Sequence, residues 1–186
     1  MHRVLRKDQV LTIPNLLSVV RLLLIPVIVW LYCVKEEYLL AVAVIVLSGL
    51  TDIADGIIAR KCNMVSDFGK ILDPIADKLT QAAIIICLIG KHRLMILLIV
   101  LFAAKEICMA VMGLYAIKKK DSVNSAKWYG KANTVVLYAV MMILILFHGM
   151  PEVLANTLII GCIAMLVFSF VQYALFYQKL FTEKES

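Results

Sequence analysis

Charged side chains are scarce in this sequence of 186 residues, at 17% against the roughly 25% that soluble globular domains carry. Hydrophobic residues make up 63% of the chain, well above the about 45–50% of that class. This composition excludes an ordinary soluble domain. The long apolar runs also lack the residue-by-residue alternation of a membrane β-barrel. We therefore expect an all-α integral membrane protein.

The cysteines show no spacing that would build a site. The sequence has 5 of them and no CxxC pair. An odd, dispersed set in or beside apolar runs is more typical of small buried hydrophobes than of disulfides or a zinc site. These cysteines are Cys33, Cys62, Cys87, Cys108 and Cys162.

The apolar runs predict six transmembrane helices in a single domain, because a hydrocarbon core of about 30 Å takes about 20 residues per helix. No internal repeat separates a second domain. The first run has no small-residue cleavage pattern, so we expect it to remain as a span. Residues 1–13 mix basic and apolar positions, which predicts a short amphipathic helix on the membrane surface, with a solvated basic tail as the alternative. The predicted spans cover about 16–34, 38–60, 67–89, 94–117, 131–148 and 153–178.

Basic residues are concentrated at one side of the predicted bundle. They cluster in the N-terminal segment, at 60–61, over 118–131 and in the C-terminal tail. The opposite side carries only Lys35, Lys91 and Arg93. The positive-inside rule then predicts a multi-pass protein of the cell membrane with both termini in the cytoplasm.

Acidic residues interrupt the apolar pattern in two places, near the same cytoplasmic side. Asp52 and Asp55 are three apart, and Asp73 and Asp77 are four apart. At such spacings each pair occupies one face of a helix, so two neighbouring helices could direct four carboxylates to one point. The remaining residues on the same faces are Gly56, Ala59, Arg60 and Gly69.

Three interpretations of these aspartates are open. They could be structural, capping helices or pairing with Arg60, Lys70 and Lys78. They could form a proton or cation pathway, as intramembrane acids often do. They could also bind hard divalent cations. The small residues favour the last interpretation, because they allow close approach of a phosphate ligand that an arginine could bind. The apolar stretches 39–47 and 82–89 also argue for a one-sided site rather than a cation transporter.

The spacing resembles the signature of the CDP-alcohol phosphotransferase family. All eight specified positions are present, as Asp52-x2-Asp55-Gly56-x2-Ala59-Arg60-x8-Gly69-x3-Asp73-x3-Asp77. The segment IPNLLSVVR also resembles the PN-LT--R opening common in phosphatidylglycerophosphate synthases, with Ser18 where threonine is usual. With six spans, the resemblance covers nearly the whole chain.

The resemblance implies that an acceptor hydroxyl attacks the β-phosphorus of CDP-diacylglycerol and releases CMP. Two divalent cations, Mg²⁺ or Mn²⁺, would bind Asp52, Asp55, Asp73 and Asp77, and Asp77 would also be the general base. The active site would face the cytoplasm. Family members are usually homodimers, and no nucleic-acid partner is expected. The implied contacts of the CDP-lipid are Asn15, Ser18, Arg21, Gly56, Ala59, Arg60, Ser66 and Gly69.

The acceptor is implied less directly. A negatively charged acceptor such as glycerol 3-phosphate needs cations, and the candidates are Lys105, Lys127 and Lys131; Lys127 could equally serve to set topology. Lys105 and Glu106 resemble the Arg-Glu pair of members that use glycerol 3-phosphate, and NSAKWYGKANT resembles their S--GK--T segment. Lysine replaces arginine here, and Gly113 stands near the place of a second arginine. A CDP-alcohol-type cardiolipin synthase, which uses the lipid alcohol phosphatidylglycerol, is therefore the alternative.

Overall fold

A computed structural model describes residues 12–61, 69–120 and 128–182. Every regular element within these ranges is an α-helix, which confirms the all-α class. The amphipathic helix predicted over 1–13 falls almost wholly outside the described residues, as do Ser66 and Lys127.

Within the described residues, six helices lie close to the predicted spans, because the apolar runs and the polar turns between them were both visible in the sequence. The first and fifth helices begin three residues before the predicted spans, and the fourth and sixth end three and four residues after them. The helices are α1 (Ile13–Cys33), α2 (Tyr38–Lys61), α3 (Gly69–Ile89), α4 (Leu94–Lys120), α5 (Trp128–Leu146) and α6 (Glu152–Thr182).

Four of the described helices are long and apolar enough to cross a membrane, which makes the chain a multi-pass membrane protein. In α2 the apolar part is shorter, Tyr38–Ala54, and α3 is not among the candidate spans. The reason is that both helices carry acidic residues of the motif. The four spanning segments are Asn15–Cys33, Leu94–Gly113, Trp128–Leu146 and Glu152–Gln178.

The chain divides into two compact units, Met1–Cys87 and Leu88–Ser186. In the first unit, α1 packs along α2. Thr12 caps α1 by accepting a hydrogen bond from the backbone N–H of Asn15 at 3.4 Å. The cap therefore fixes the residue at which α1 begins.

In the second unit, α6 packs against both α4 and α5. Near the start of α5 the buried rings of Tyr129, Tyr173 and Tyr177 form a cluster. The rings of Tyr129 and Tyr173 meet edge to face, with centroids 4.6 Å apart. Edge-to-face pairs of this kind add stability beyond the area that they bury.

Gly130 allows this close approach of α5 and α6. A Cβ atom built at Gly130 would overlap the hydroxyl of Tyr173 and come within 3.1 Å of its Cζ. The residue at this position therefore has to be a glycine while Tyr173 keeps its position.

We expect Gly130→Ala to destabilise the protein by about 1–3 kcal/mol, because the added methyl group overpacks the helix contact. Tyr173→Phe in the same chain should recover part of the loss, since the hydroxyl is the nearest atom. Thermal unfolding of the purified protein in detergent measures both effects. Gly161→Ala on α6 is the matched control, because its Cβ would meet nothing within 4 Å. An equal loss in the control would contradict the overlap at Gly130.

Candidate active site

A buried arginine on α1 pairs with the first aspartate of the motif. Arg21 Nη1 lies 2.5 Å from Asp52 Oδ1 on α2. The arginine side chain is 3% exposed and the aspartate side chain 48% exposed. A guanidinium inside a helical bundle is costly unless a carboxylate and hydrogen bonds balance its charge. The contact therefore ties α1 to the motif-bearing part of α2.

Ser18, one turn before Arg21 on α1, contacts the part of the motif that lies on α3. Its hydroxyl donates a hydrogen bond to Asp73 Oδ1 on α3. Ser18 has no exposed surface, and Asn15, three residues earlier, is also buried. Residues three apart share a helix face, so α1 presents one buried polar face toward the aspartates of both α2 and α3.

The last aspartate of the motif is held from within α3. Gln81 Nε2 donates a hydrogen bond to Asp77 Oδ2 at 2.9 Å. Lys78 Nζ lies 4.0 Å from the same oxygen. Gln81 was not among the residues predicted from the sequence. The feature that could have indicated it is an amide four residues after Asp77, at the start of an apolar run.

Each motif aspartate whose side chain is described thus has at least one buried polar partner. The rest of the motif on α2 is helical in its backbone, but the side chains of Asp55, Ala59 and Arg60 lie outside the described residues, as does Gly56 beyond its backbone. Gly69 is the first residue of α3 and is buried. The convergence of the four carboxylates therefore stays a prediction.

The oxygen atoms of these aspartates fit hard divalent cations, which prefer carboxylate ligands. Asp52 and Asp73 each use Oδ1 for the buried partner. Among the side chains that the structure describes, no three of Asp, Glu, His or Cys are grouped so as to hold a metal. Asp55, the fourth predicted ligand, is not among them.

The predicted acceptor-binding lysines differ in their surroundings. Lys105 on α4 is 4% exposed, and its Nζ lies 3.0 Å from Glu106 Oε1. Lys131 on α5 is exposed. The pairing of Lys105 with Glu106 agrees with the Arg-Glu pair that the sequence resembles.

Two polar residues of the second unit were also missed. Asn133 Oδ1 on α5 and Ser169 Oγ on α6 are buried and have no hydrogen-bond partner among the described residues. Both lie one turn from the Tyr129–Tyr173 contact, and the signal that could have found Asn133 was its place within the NSAKWYGKANT segment.

These features define a helical multi-pass membrane protein in which buried polar side chains contact the carboxylates of a two-helix acidic motif. Residues 11–177 match the family described as CDP-alcohol phosphatidyltransferase. The chain belongs to this family, which confirms the resemblance and the class of enzyme. Members of the family generally depend on divalent metal ions.

Similar proteins carry two kinds of name. A CDP-diacylglycerol–glycerol-3-phosphate 3-phosphatidyltransferase of Aquifex aeolicus is 32% identical over 171 residues, which cover 89% of this chain and 95% of the relative. One of the same name from Rickettsia typhi is 35% identical over 136 residues, covering 72% and 76%. A cardiolipin synthase (CMP-forming) of Streptomyces coelicolor is 33% identical over 148 residues, covering 76% and 68%.

The Arg21–Asp52 pair should respond unequally to loss of its two members. We expect Asp52→Ala to destabilise the protein by about 3 kcal/mol, because a buried guanidinium loses this counterion. Arg21→Met should cost at most about 1 kcal/mol, since water can reach the half-exposed carboxylate. The free energy of unfolding in detergent, determined without added metal, measures the loss of stability in both variants. The double variant should resemble Arg21→Met, and equal costs for the two single changes would contradict the asymmetry.

Proposed function

We propose that this chain transfers the phosphatidyl group of CDP-diacylglycerol to sn-glycerol 3-phosphate, giving phosphatidylglycerophosphate and CMP. The observation that supports this most strongly is the complete eight-position motif within a match to the family over residues 11–177. The relative from Aquifex aeolicus, named for glycerol 3-phosphate, aligns over 89% of the chain. Membership of an enzyme family also favours a transferase over the cation transporter considered from the sequence.

In the proposed reaction the acceptor hydroxyl oxygen forms a bond to the β-phosphorus of the donor. The bond from that phosphorus to the bridging oxygen breaks, and CMP leaves with the electron pair. Asp77 takes the proton of the hydroxyl, as a positioned carboxylate can do. Two divalent cations, Mg²⁺ or Mn²⁺, would be held by Asp52, Asp55, Asp73 and Asp77 and would supply electrostatic stabilisation of the phosphate charges.

For the CDP-lipid we propose a pocket made by the small and polar residues of the motif together with the N-terminal part of α1. Arg21 and Ser18 would then have two roles, since both also hold motif aspartates. Arg60 would bind phosphate oxygens through its planar guanidinium. The full set of proposed donor contacts is Asn15, Ser18, Arg21, Gly56, Ala59, Arg60, Ser66 and Gly69.

We further propose that all six helices cross the cell membrane, that both termini and the active site face the cytoplasm, and that the protein is a homodimer. The distribution of basic residues supports the orientation. The polar ends of α2 and α3 would lie at the cytoplasmic side, where water and soluble substrates reach them. The dimer rests on resemblance to the family alone.

Lys105, Lys127 and Lys131 are the proposed acceptor-binding residues. The buried Lys105, neutralised in part by Glu106, supports a specific role better than the exposed Lys131 does. The second candidate function is a cardiolipin synthase with phosphatidylglycerol as acceptor. It is favoured by the lysine that replaces an arginine in span four and by the relative from Streptomyces coelicolor.

Release of CMP distinguishes these functions. The purified protein is given CDP-diacylglycerol, Mn²⁺ or Mg²⁺, and one acceptor at a time: glycerol 3-phosphate, phosphatidylglycerol, inositol phosphate or serine. We expect release with glycerol 3-phosphate. Release with phosphatidylglycerol alone would assign the cardiolipin reaction instead, and no release with any acceptor would sink the transferase proposal.

Asp77→Asn should lower turnover by about 10²–10⁴-fold, because an amide cannot take the proton of the attacking hydroxyl. Metal-dependent binding of the nucleotide should remain, which isothermal titration with a CDP-lipid measures. Glu152→Gln at the exposed start of α6 is the matched carboxylate-to-amide control and should keep wild-type turnover. Wild-type activity in Asp77→Asn would remove Asp77 as the base.

A further inference from the structure

Gln81 lies one helical turn beyond Asp77 on α3 and contacts its carboxylate. Its Nε2 donates to Asp77 Oδ2 at 2.9 Å, and the glutamine has no exposed surface. Residues four apart share a helix face, so α3 supplies this donor locally. A hydrogen bond to an ionised acceptor is shorter and stronger than one between neutral groups.

The oxygen of the same amide is in a less favourable environment than its nitrogen. Gln81 Oε1 is buried and accepts no hydrogen bond from a described residue. A buried polar atom without a partner is destabilising, so an apolar side chain of similar size would pack more favourably here. The reverse orientation of the amide would place Oε1 against a carboxylate oxygen, which would repel it. The contact with Asp77 therefore determines the orientation of the amide.

Lys78 is the charged neighbour of the same carboxylate oxygen. Its Nζ lies 4.0 Å from Asp77 Oδ2, and the side chains are 33% and 28% exposed. An ion pair of this length and exposure gives little directional restraint. Of these two contacts, the buried amide at hydrogen-bond distance is thus the stronger restraint on the direction of the carboxylate.

We propose that Gln81 is a positioning residue that holds the Asp77 carboxylate in the orientation needed to receive the proton of the attacking hydroxyl. This role presupposes the transfer reaction proposed above and adds a residue outside the eight-position motif. Holding a reacting group in place raises the rate without requiring tighter binding of substrate. The unsatisfied Oε1 then reflects a residue retained for activity rather than for stability.

The test replaces Gln81 by methionine, which has a similar volume and no hydrogen-bonding amide. At saturating substrates and metal we expect kcat of Gln81→Met to fall about 10–100-fold, with KM of both substrates within about twofold of wild type. The midpoint of thermal unfolding should stay the same or rise, because the buried Oε1 is removed together with the donor. Rates are normalised to the fraction of protein that binds a CDP-lipid.

Two further variants isolate the donor. Gln81→Glu keeps an oxygen in place of Oε1 but replaces the donor by a carboxylate oxygen, so its kcat should be at least as low as that of Gln81→Met. Thr80→Val is the matched control, since Thr80 is a buried neighbour whose hydroxyl donates to the backbone oxygen of Ala76 at 2.8 Å rather than to the carboxylate. It should keep wild-type kcat.

Wild-type kcat in either Gln81 variant would overturn the role. A fall in kcat that is matched by a lower melting temperature and reduced nucleotide binding would also overturn it, in favour of a purely structural residue.

Binding of Mn²⁺, followed by the electron paramagnetic resonance signal of the free ion, is a second readout that needs no turnover. Because Asp77 is a proposed ligand, Gln81→Met should bind Mn²⁺ about tenfold more weakly. If the wild-type chain transfers the phosphatidyl group to no acceptor, the proposed function fails. The Mn²⁺ titration then still shows whether Gln81 holds the Asp77 carboxylate in position. Equal Mn²⁺ affinity in the variant and the wild type would then contradict the positioning.

Discussion

Charged and polar side chains that are buried inside a helical membrane protein need polar partners, because water is not there to solvate them. In this chain α1 makes two such contacts, an ion pair of Arg21 with Asp52 and a hydrogen bond from Ser18 to Asp73. A third contact, from Gln81 to Asp77, lies within α3. The first two contacts join α1 to α2 and to α3 in the first unit, and separation of these helices would leave the buried Arg21 and Ser18 without these partners.

The acidic motif has a structural consequence for the helices that carry it. Its polar residues shorten the apolar part of α2 to Tyr38–Ala54 and leave α3 outside the four spanning segments. Neither helix is as well suited to lipid as α4 or α6. Their stability in a membrane must come from packing and from polar contacts with other helices. The residues that provide the chemistry therefore also make the fold of this unit depend on the site.

The helices and the acidic motif could be predicted from the sequence, whereas several buried polar contacts could not. The helices follow from apolar runs interrupted by polar turns, and the four motif aspartates follow from spacing along a helix. The buried pair of Lys105 and Glu106 was expected as a resemblance but not as a buried contact. Ser169 was not found, because a single hydroxyl within an apolar helix gives no periodic signal. Asn133 was not singled out although it lies within the NSAKWYGKANT segment.

The sequence by itself determined the class of protein, the helices and the faces on which the aspartates lie, because these depend on composition and on the 3.6-residue repeat. Only the tertiary structure decided which donor meets which carboxylate. Ser18 and Asp73 are 55 residues apart, and their contact depends on how α1 packs against α3. Gln81 and Asp77 are only four residues apart, so their contact lies within one helix. The burial of the Gln81 amide, which makes it a restraint on the carboxylate rather than an ordinary polar side chain, is visible only in the tertiary structure.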